Sequence, residues 1–264
     1  MSRPRKKTFG DKSKLHLHIC TLRGKSYTIL MPRPSIHIRW SNNFFHNTWH
    51  ILGTMHSAQF LGHLMWDLAF HKNPRTYVYI DPSLLVANPF DAQPAKPILI
   101  GQQRPPKALC LYLKRKRRSS HKTYRIKSQG LLKLLHDESA WNRFSPYYHN
   151  TYPPEVSLIK GVITISGSCA SLKEQALWIT SLVTEPGNGH YNMAFHFFQQ
   201  KDRVDGEVQI FHDFYHRVGE AKQIAQQVRQ NSPLPQSPTE EADLLQHIQQ
   251  QVYKQMCKRH KRTL

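Results

Sequence analysis

Acid is what this chain has least of: 17 Asp+Glu stand against 37 Lys+Arg in 264 residues, a formal net charge of +20 with all 17 histidines counted as neutral. An excess that size is too large for a solubility device, and it makes a polyanion the expected partner, nucleic acid ahead of anionic membrane. Cysteine is scarce as well. Cys20, Cys110, Cys169 and Cys257 lie far apart and form no CxxC pair, which excludes a zinc ribbon or a disulfide framework and predicts reduced thiols in a cytoplasmic protein. No stretch reaches the ~18 to 20 uncharged apolar residues of a membrane span, and no apolar signal core follows the basic start, so no membrane partner is expected. Repeats, a P-loop, the dinucleotide glycine fingerprint and GxSxG are all missing.

What is present suffices for a folded core, since 39% of the residues are hydrophobic and they include 12 Phe, 11 Tyr and 5 Trp. The expected organisation is a basic arm over 1–14, an N-terminal half over 15–152, a C-terminal half over 153–218 and a Gln-rich, basic helical tail over 219–264. In the first half, Ser26 to Met31 reads as a strand closed by Pro32 and Pro34, with Ile36, Ile38 and Trp40 as an extended continuation. Ser41 or Asn42 then looks like the N-cap of an amphipathic helix running to Phe70, on which Phe45, Trp49, Leu52, Phe60, Leu64 and Leu68 recur at helical spacing. Further strands are predicted at Thr76 to Ile80 and Ala108 to Leu113, and a short helix at Gly130 to Asp137. In the second half, Gly161 to Ser166 reads as a strand and Ser171 as a helix cap with Glu174 completing a capping box. Tyr191 to Phe198 then alternates as a strand with Tyr191, Met193, Phe195 and Phe197 on one face.

The densest positive charge is Lys114, Arg115, Lys116, Arg117 and Arg118, followed by Lys122, Arg125 and Lys127. Tyr112, His121 and Tyr124 interleave aromatic with basic character there, a combination that suits single-stranded or hairpin RNA through stacking and phosphate contact. Pro186 to Gly189 forms a tight loop whose glycines, Gly187 and Gly189, let successive amides point at a phosphate, with His190 at its end.

The segment Ile159 to Phe198 resembles the C-terminal region of CRISPR precursor-RNA-processing endoribonucleases of the RAMP superfamily. The resemblance is carried by Gly161, Val162, Ile163, Ile165 and Gly167, by Leu177, Ile179 and Leu182, and by Gly187 and Gly189; Asn192 and Ala194 stand where that family usually has two more glycines. It implies an α+β fold of two ferredoxin-like (RAMP/RRM-like) halves flanking a basic cleft, to which the composition after Gly219 adds a helical, partly disordered C-terminal appendage.

It also implies a histidine on the first long helix, and His46 and His50, four residues apart, occupy that place. Metal-free RNA cleavage needs a base for the 2′-hydroxyl and an acid for the leaving oxygen, which suits imidazole. HxxxH is also a metal-ligand spacing, but no Glu follows it as in hydrolytic zinc motifs, so no metal and no cofactor are expected.

Two functions follow as expectations. One is a metal-independent endoribonuclease acting on repeat-hairpin RNA through 2′-hydroxyl attack, alongside other CRISPR-associated proteins. The other is a non-catalytic RNA-binding subunit of a ribonucleoprotein complex. No helix-turn-helix or zinc-finger signature supports DNA binding.

Overall fold

The computed structural model describes residues 13–115, 122–128, 130–137, 139, 153–183, 193–200, 203–233 and 235–261. The chain is a mixed α+β protein built on two sheets. The strands are β1 (Lys14–Leu22), β2 (Lys25–Pro32), β3 (Trp40–Phe45), β4 (Thr48–Gly53), β5 (Thr76–Ile80), β6 (Ile98–Gly101), β7 (Lys122–Arg125), β8 (Glu155–Ile159), β9 (Val162–Ser166), β10 (Met193–Gln200) and β11 (Arg203–Phe211). The helices are α1 (Met55–Ala69), α2 (Lys107–Arg115), α3 (Leu131–His136), α4 (Cys169–Ser181), α5 (Phe214–Gln230) and α6 (Pro238–Lys261). No helix among the described residues is long and apolar enough to cross a membrane.

The larger sheet has seven strands in the order β7-β1-β2-β5-β6-β9-β8, and the smaller has four in the order β10-β11-β4-β3. β6 pairs in parallel with β9, and β4 with β11, so both sheets draw strands from either side of residue 152. The strands flanking α4, β9 and β10, enter different sheets. This arrangement differs from the expected pair of ferredoxin-like halves, in which each half keeps its own sheet.

Three of the hairpins share one turn geometry. Arg23-Gly24, His46-Asn47 and Lys160-Gly161 each occupy a two-residue turn with positive φ at both positions. This is the turn whose twist matches that of the paired strands. The middle one overturns a sequence expectation. Ser41 and Asn42 are buried strand residues of β3 rather than helix caps, and His46 and His50 do not share a helix face.

The helix begins only after Gly53, where Thr54 accepts from the Ser57 amide while the Ser57 hydroxyl accepts from the Thr54 amide. That reciprocal cap has Ser in place of the usual Glu or Gln, so it leaves a weak mark in the sequence. The Ala108 to Leu113 segment is likewise helical. Leu109, Cys110 and Leu113 are its buried positions, a helical spacing, and the chain enters the helix from Pro105 and Pro106. The N-cap of α4 lies three residues before the predicted one, with Ser168 accepting from the Ser171 amide.

α1 is buried nearly all round, because its two sides meet α4 and the inner faces of both sheets. Gly62 makes the contact with α4 possible: a Cβ there would fall within 2.8 Å of the Ala176 carbonyl oxygen and closer still to the Thr180 hydroxyl. α2 covers part of the outer face of the larger sheet, over Tyr27, Ile29, Tyr77 and Leu99. The expected helical tail over 219–264 falls on two helices, α5 and α6. Phe214 and Val218 of α5 close over Leu52 and Phe211 of the smaller sheet. The opposite side of α5 meets α6 along Ala221, Ile224, Ile248, Val252 and Met256.

Candidate nucleic-acid interface

No Asp or Glu occurs between Asp11 and Asp67, nor between Asp91 and Asp137. β1, β2, β7 and α2 all come from those two stretches and meet at one end of the larger sheet. Alternation along β1 puts Lys14, His16 and His18 on the face that α2 partly covers, with Lys14 opposite Arg125 and His16 opposite Thr123 of β7. Arg33 follows β2 and donates from Nη2 to Thr123 Oγ1, while its Nε makes no hydrogen bond among the described residues.

α2 contributes Tyr112, whose hydroxyl lies 2.8 Å from His18 Nε2 with the two rings stacked, 6.0 Å between centroids and 9° between planes. Burial, then the nearby Cys20, pushes the Tyr112 hydroxyl above its ordinary value, so it stays protonated. The result is a surface of cations, imidazoles and one phenol that holds no carboxylate from its own four elements.

Of the residues singled out from sequence, Lys114 and Arg115 form the last turn of α2, where cations meet the negative end of the helix dipole. Lys114 reaches away from Tyr112 toward the β8–β9 turn, its Nζ standing 2.8 Å from where a Cβ on Gly161 would be. Lys122 and Arg125 are exposed on the edge strand β7. Lys116, Arg117, Arg118, Gly187, Gly189 and His190 lie outside the described residues. Sequence reading missed His16, His18 and Arg33. Their signal was the period-two pattern Lys14, His16, His18.

The histidines expected to be catalytic, His46 and His50, sit on the smaller sheet, at the opposite side of the helical layer. His46 is exposed in the β3–β4 turn, its ring stacked on Phe45 at 3.9 Å. His50 is 5% exposed, on β4 beside β11. Its Nδ1 is 3.2 Å from Gln209 Nε2, an amide donor, which makes Nδ1 the acceptor and leaves the proton on Nε2. That Nε2 lies 2.9 Å from Thr48 Oγ1, and Thr48 in turn donates to the Phe45 carbonyl. Gln209 also donates to Glu207 Oε1 at 2.9 Å, and Glu207 Oε2 stands 3.5 Å from His50 Nε2.

Desolvation, with a smaller effect from His46, lowers the His50 pKa, and burial raises that of Glu207. Both nitrogens of His50 are therefore taken up in holding the hairpin to β11. Phe45, Phe195 and Phe197 remain 45%, 48% and 37% exposed on this same face, while Phe198 and His196 turn inward. The alternation predicted for this strand holds over 193–198, Tyr191 lying outside the described residues, but the aromatic side is the exposed one.

Among the described residues no three His, Cys, Asp or Glu side chains group in a way that could hold a metal ion. No family model matches the chain, and no curated protein or solved structure matches it either.

Proposed function

We propose that this chain binds RNA on the acid-free end of the larger sheet. The observation that carries the reading is charge segregation: two long stretches without a carboxylate fold together, so Lys14, Arg33, Arg125, His16 and His18 share one face. Such a surface neutralises phosphates and releases their counterions. RNA is favoured over duplex DNA by the resemblance of Ile159 to Phe198 to RNA-processing enzymes.

The His18–Tyr112 pair favours a second reading, metal-independent cleavage by an endoribonuclease. In that reaction His18 takes the proton of the 2′-hydroxyl, and the P–O2′ bond forms as the P–O5′ bond breaks. The leaving 5′-oxygen takes a proton from solvent, and a 2′,3′-cyclic phosphate remains. Arg33 and Lys14 would offset the charge that grows on the phosphorus oxygens. His50 fits this role less well, since both its nitrogens are engaged within the fold.

The test is incubation of the purified chain with labelled hairpin RNA in EDTA, alongside His18→Ala, Tyr112→Phe and His46→Ala. Cuts lost in His18→Ala and Tyr112→Phe but kept in His46→Ala support the nuclease. Salt-sensitive binding without a cut leaves the RNA-binding protein, and absence of binding at low salt overturns both.

A further inference from the structure

The smaller sheet carries a face that the basic interface does not use. α5 closes one end of it over Leu52 and Phe211, whereas the other end, around Phe45, Phe195 and Phe197, is open among the described residues. The register places Asn43, His50, Glu207 and Phe197 side by side across the four strands, with Phe195 in the next row beside Gln209. The rings of Phe195 and Phe197 lie 5.0 Å apart.

Among these rings sits an acceptor that the fold leaves under-used, and in the same row Asn43 Oδ1 is buried with no hydrogen bond among the described residues. Glu207 Oε1 takes a hydrogen bond from Gln209, but among the described residues Oε2 meets only His50 Nε2, at 3.5 Å, and that nitrogen is already directed at Thr48. Buried polar atoms are normally paired, so a carboxylate oxygen set among phenyl rings calls for a partner that brings both a flat apolar surface and in-plane N–H donors. A second copy of this sheet would supply the first and bury Oε2 without the second. A nucleobase supplies both, and a chain of net charge +20 draws in the polyanion that carries it.

We propose that this face binds unpaired bases of the RNA, stacked on Phe195 and Phe197, with Glu207 Oε2 accepting from a base amino group, so that cytosine is taken in preference to uracil. Cytosine offers the N4 amino donor where uracil offers a carbonyl oxygen, which a carboxylate repels. The inference rests on the RNA-binding reading and adds to it a second contact, on the opposite side of the helical layer from Lys14 and Arg125.

Equilibrium binding of the full chain to short fluorescent oligocytidine and oligouridine tests it, using wild type, Glu207→Gln and Phe195→Ala/Phe197→Ala, with circular dichroism and melting to check folding. Wild type is expected to bind oligocytidine about tenfold tighter than oligouridine. Glu207→Gln should erase that preference, and the double phenylalanine variant should weaken binding of oligocytidine roughly five- to 150-fold. Salt-sensitive binding that is blind to base and unmoved by these substitutions overturns this inference and leaves the basic interface standing. Failure of either oligonucleotide to bind at low salt overturns the RNA reading along with it. A dimer in sedimentation velocity that the double phenylalanine variant dissolves would assign the face to a second copy and overturn the nucleobase.

Discussion

His196 carries the most readable titration in the molecule. It sits on the inward side of β10, its Nε2 2.6 Å from Gln175 Oε1 of α4, and burial pulls its pKa down to about 4. A histidine held neutral in the folded state binds its proton more readily when unfolded, so the unfolded chain gains protons first as the pH drops. The folded state is then fully stable above pH ~6.5, loses stability between there and about 4, and loses nothing further from this residue at lower pH. The loss is on the order of 3 kcal/mol. Urea unfolding between pH 7 and 4.5 should show it as a falling midpoint, and His196→Gln, which keeps a donor for Gln175, should flatten that fall relative to wild type. Equal slopes in the two proteins would show that general charge repulsion, and not His196, governs the acid limb.

Among the elements, the α1–α4 contact is the most constrained. Helices this close depend on a residue without a side chain, and Gly62 is that residue: a Cβ would meet a backbone carbonyl at 2.8 Å, which cannot rotate away as a side chain can. The gain of about 1 kcal/mol in helix propensity on changing Gly to Ala works in the other direction. Overpacking of a tight core costs about 1–3 kcal/mol, so the carbonyl clash should outweigh the propensity gain. Gly62→Ala is therefore expected to lower the thermal midpoint by several degrees. Adding Thr180→Ala should restore only part of it, because the hydroxyl is removed and the Ala176 carbonyl stays. Full recovery in the double variant would place the clash at the side chain alone.

At the scale of the whole molecule the governing quantity is where the charge lies. Lys14 and Arg125 face each other across β1 and β7, both exposed, so their replacement costs the fold little. Each phosphate contact on a single strand adds about 0.7 to the slope of log affinity against log salt. Lys14→Ala/Arg125→Ala should lower that slope by about 1 to 1.5 and weaken all RNA sequences by a similar factor, while the cytosine preference is retained. Titrations at several salt concentrations check this, and an unchanged slope would move the phosphate contacts to another part of the surface. The two surfaces thus separate by their variants: one set changes salt dependence, the other changes base preference.

Much was legible before any coordinates. The scarcity of acid, the strands at Ser26 to Met31, Thr76 to Ile80 and Gly161 to Ser166, and the short helix after Gly130 all follow from composition and local periodicity. These properties belong to single segments, and a segment's own residues determine them. The β3–β4 hairpin was not legible, because His46 and Asn47 adopt positive φ without a glycine, and the apolar residues on either side mimic a helical repeat. Nor could sequence say that Phe195 and Phe197 face outward, since alternation reveals two sides of a strand but not which one meets the core. Pairings such as His18 with Tyr112, or His50 with Glu207, join residues far apart in the chain, at separations where no local pattern applies. The amino-acid order alone determined how much charge this protein carries and which short segments are strands. Only the packing of two sheets around α1 and α4 decided which cations share a face and which histidine keeps a phenol beside it, because those are set by contacts between elements rather than within them.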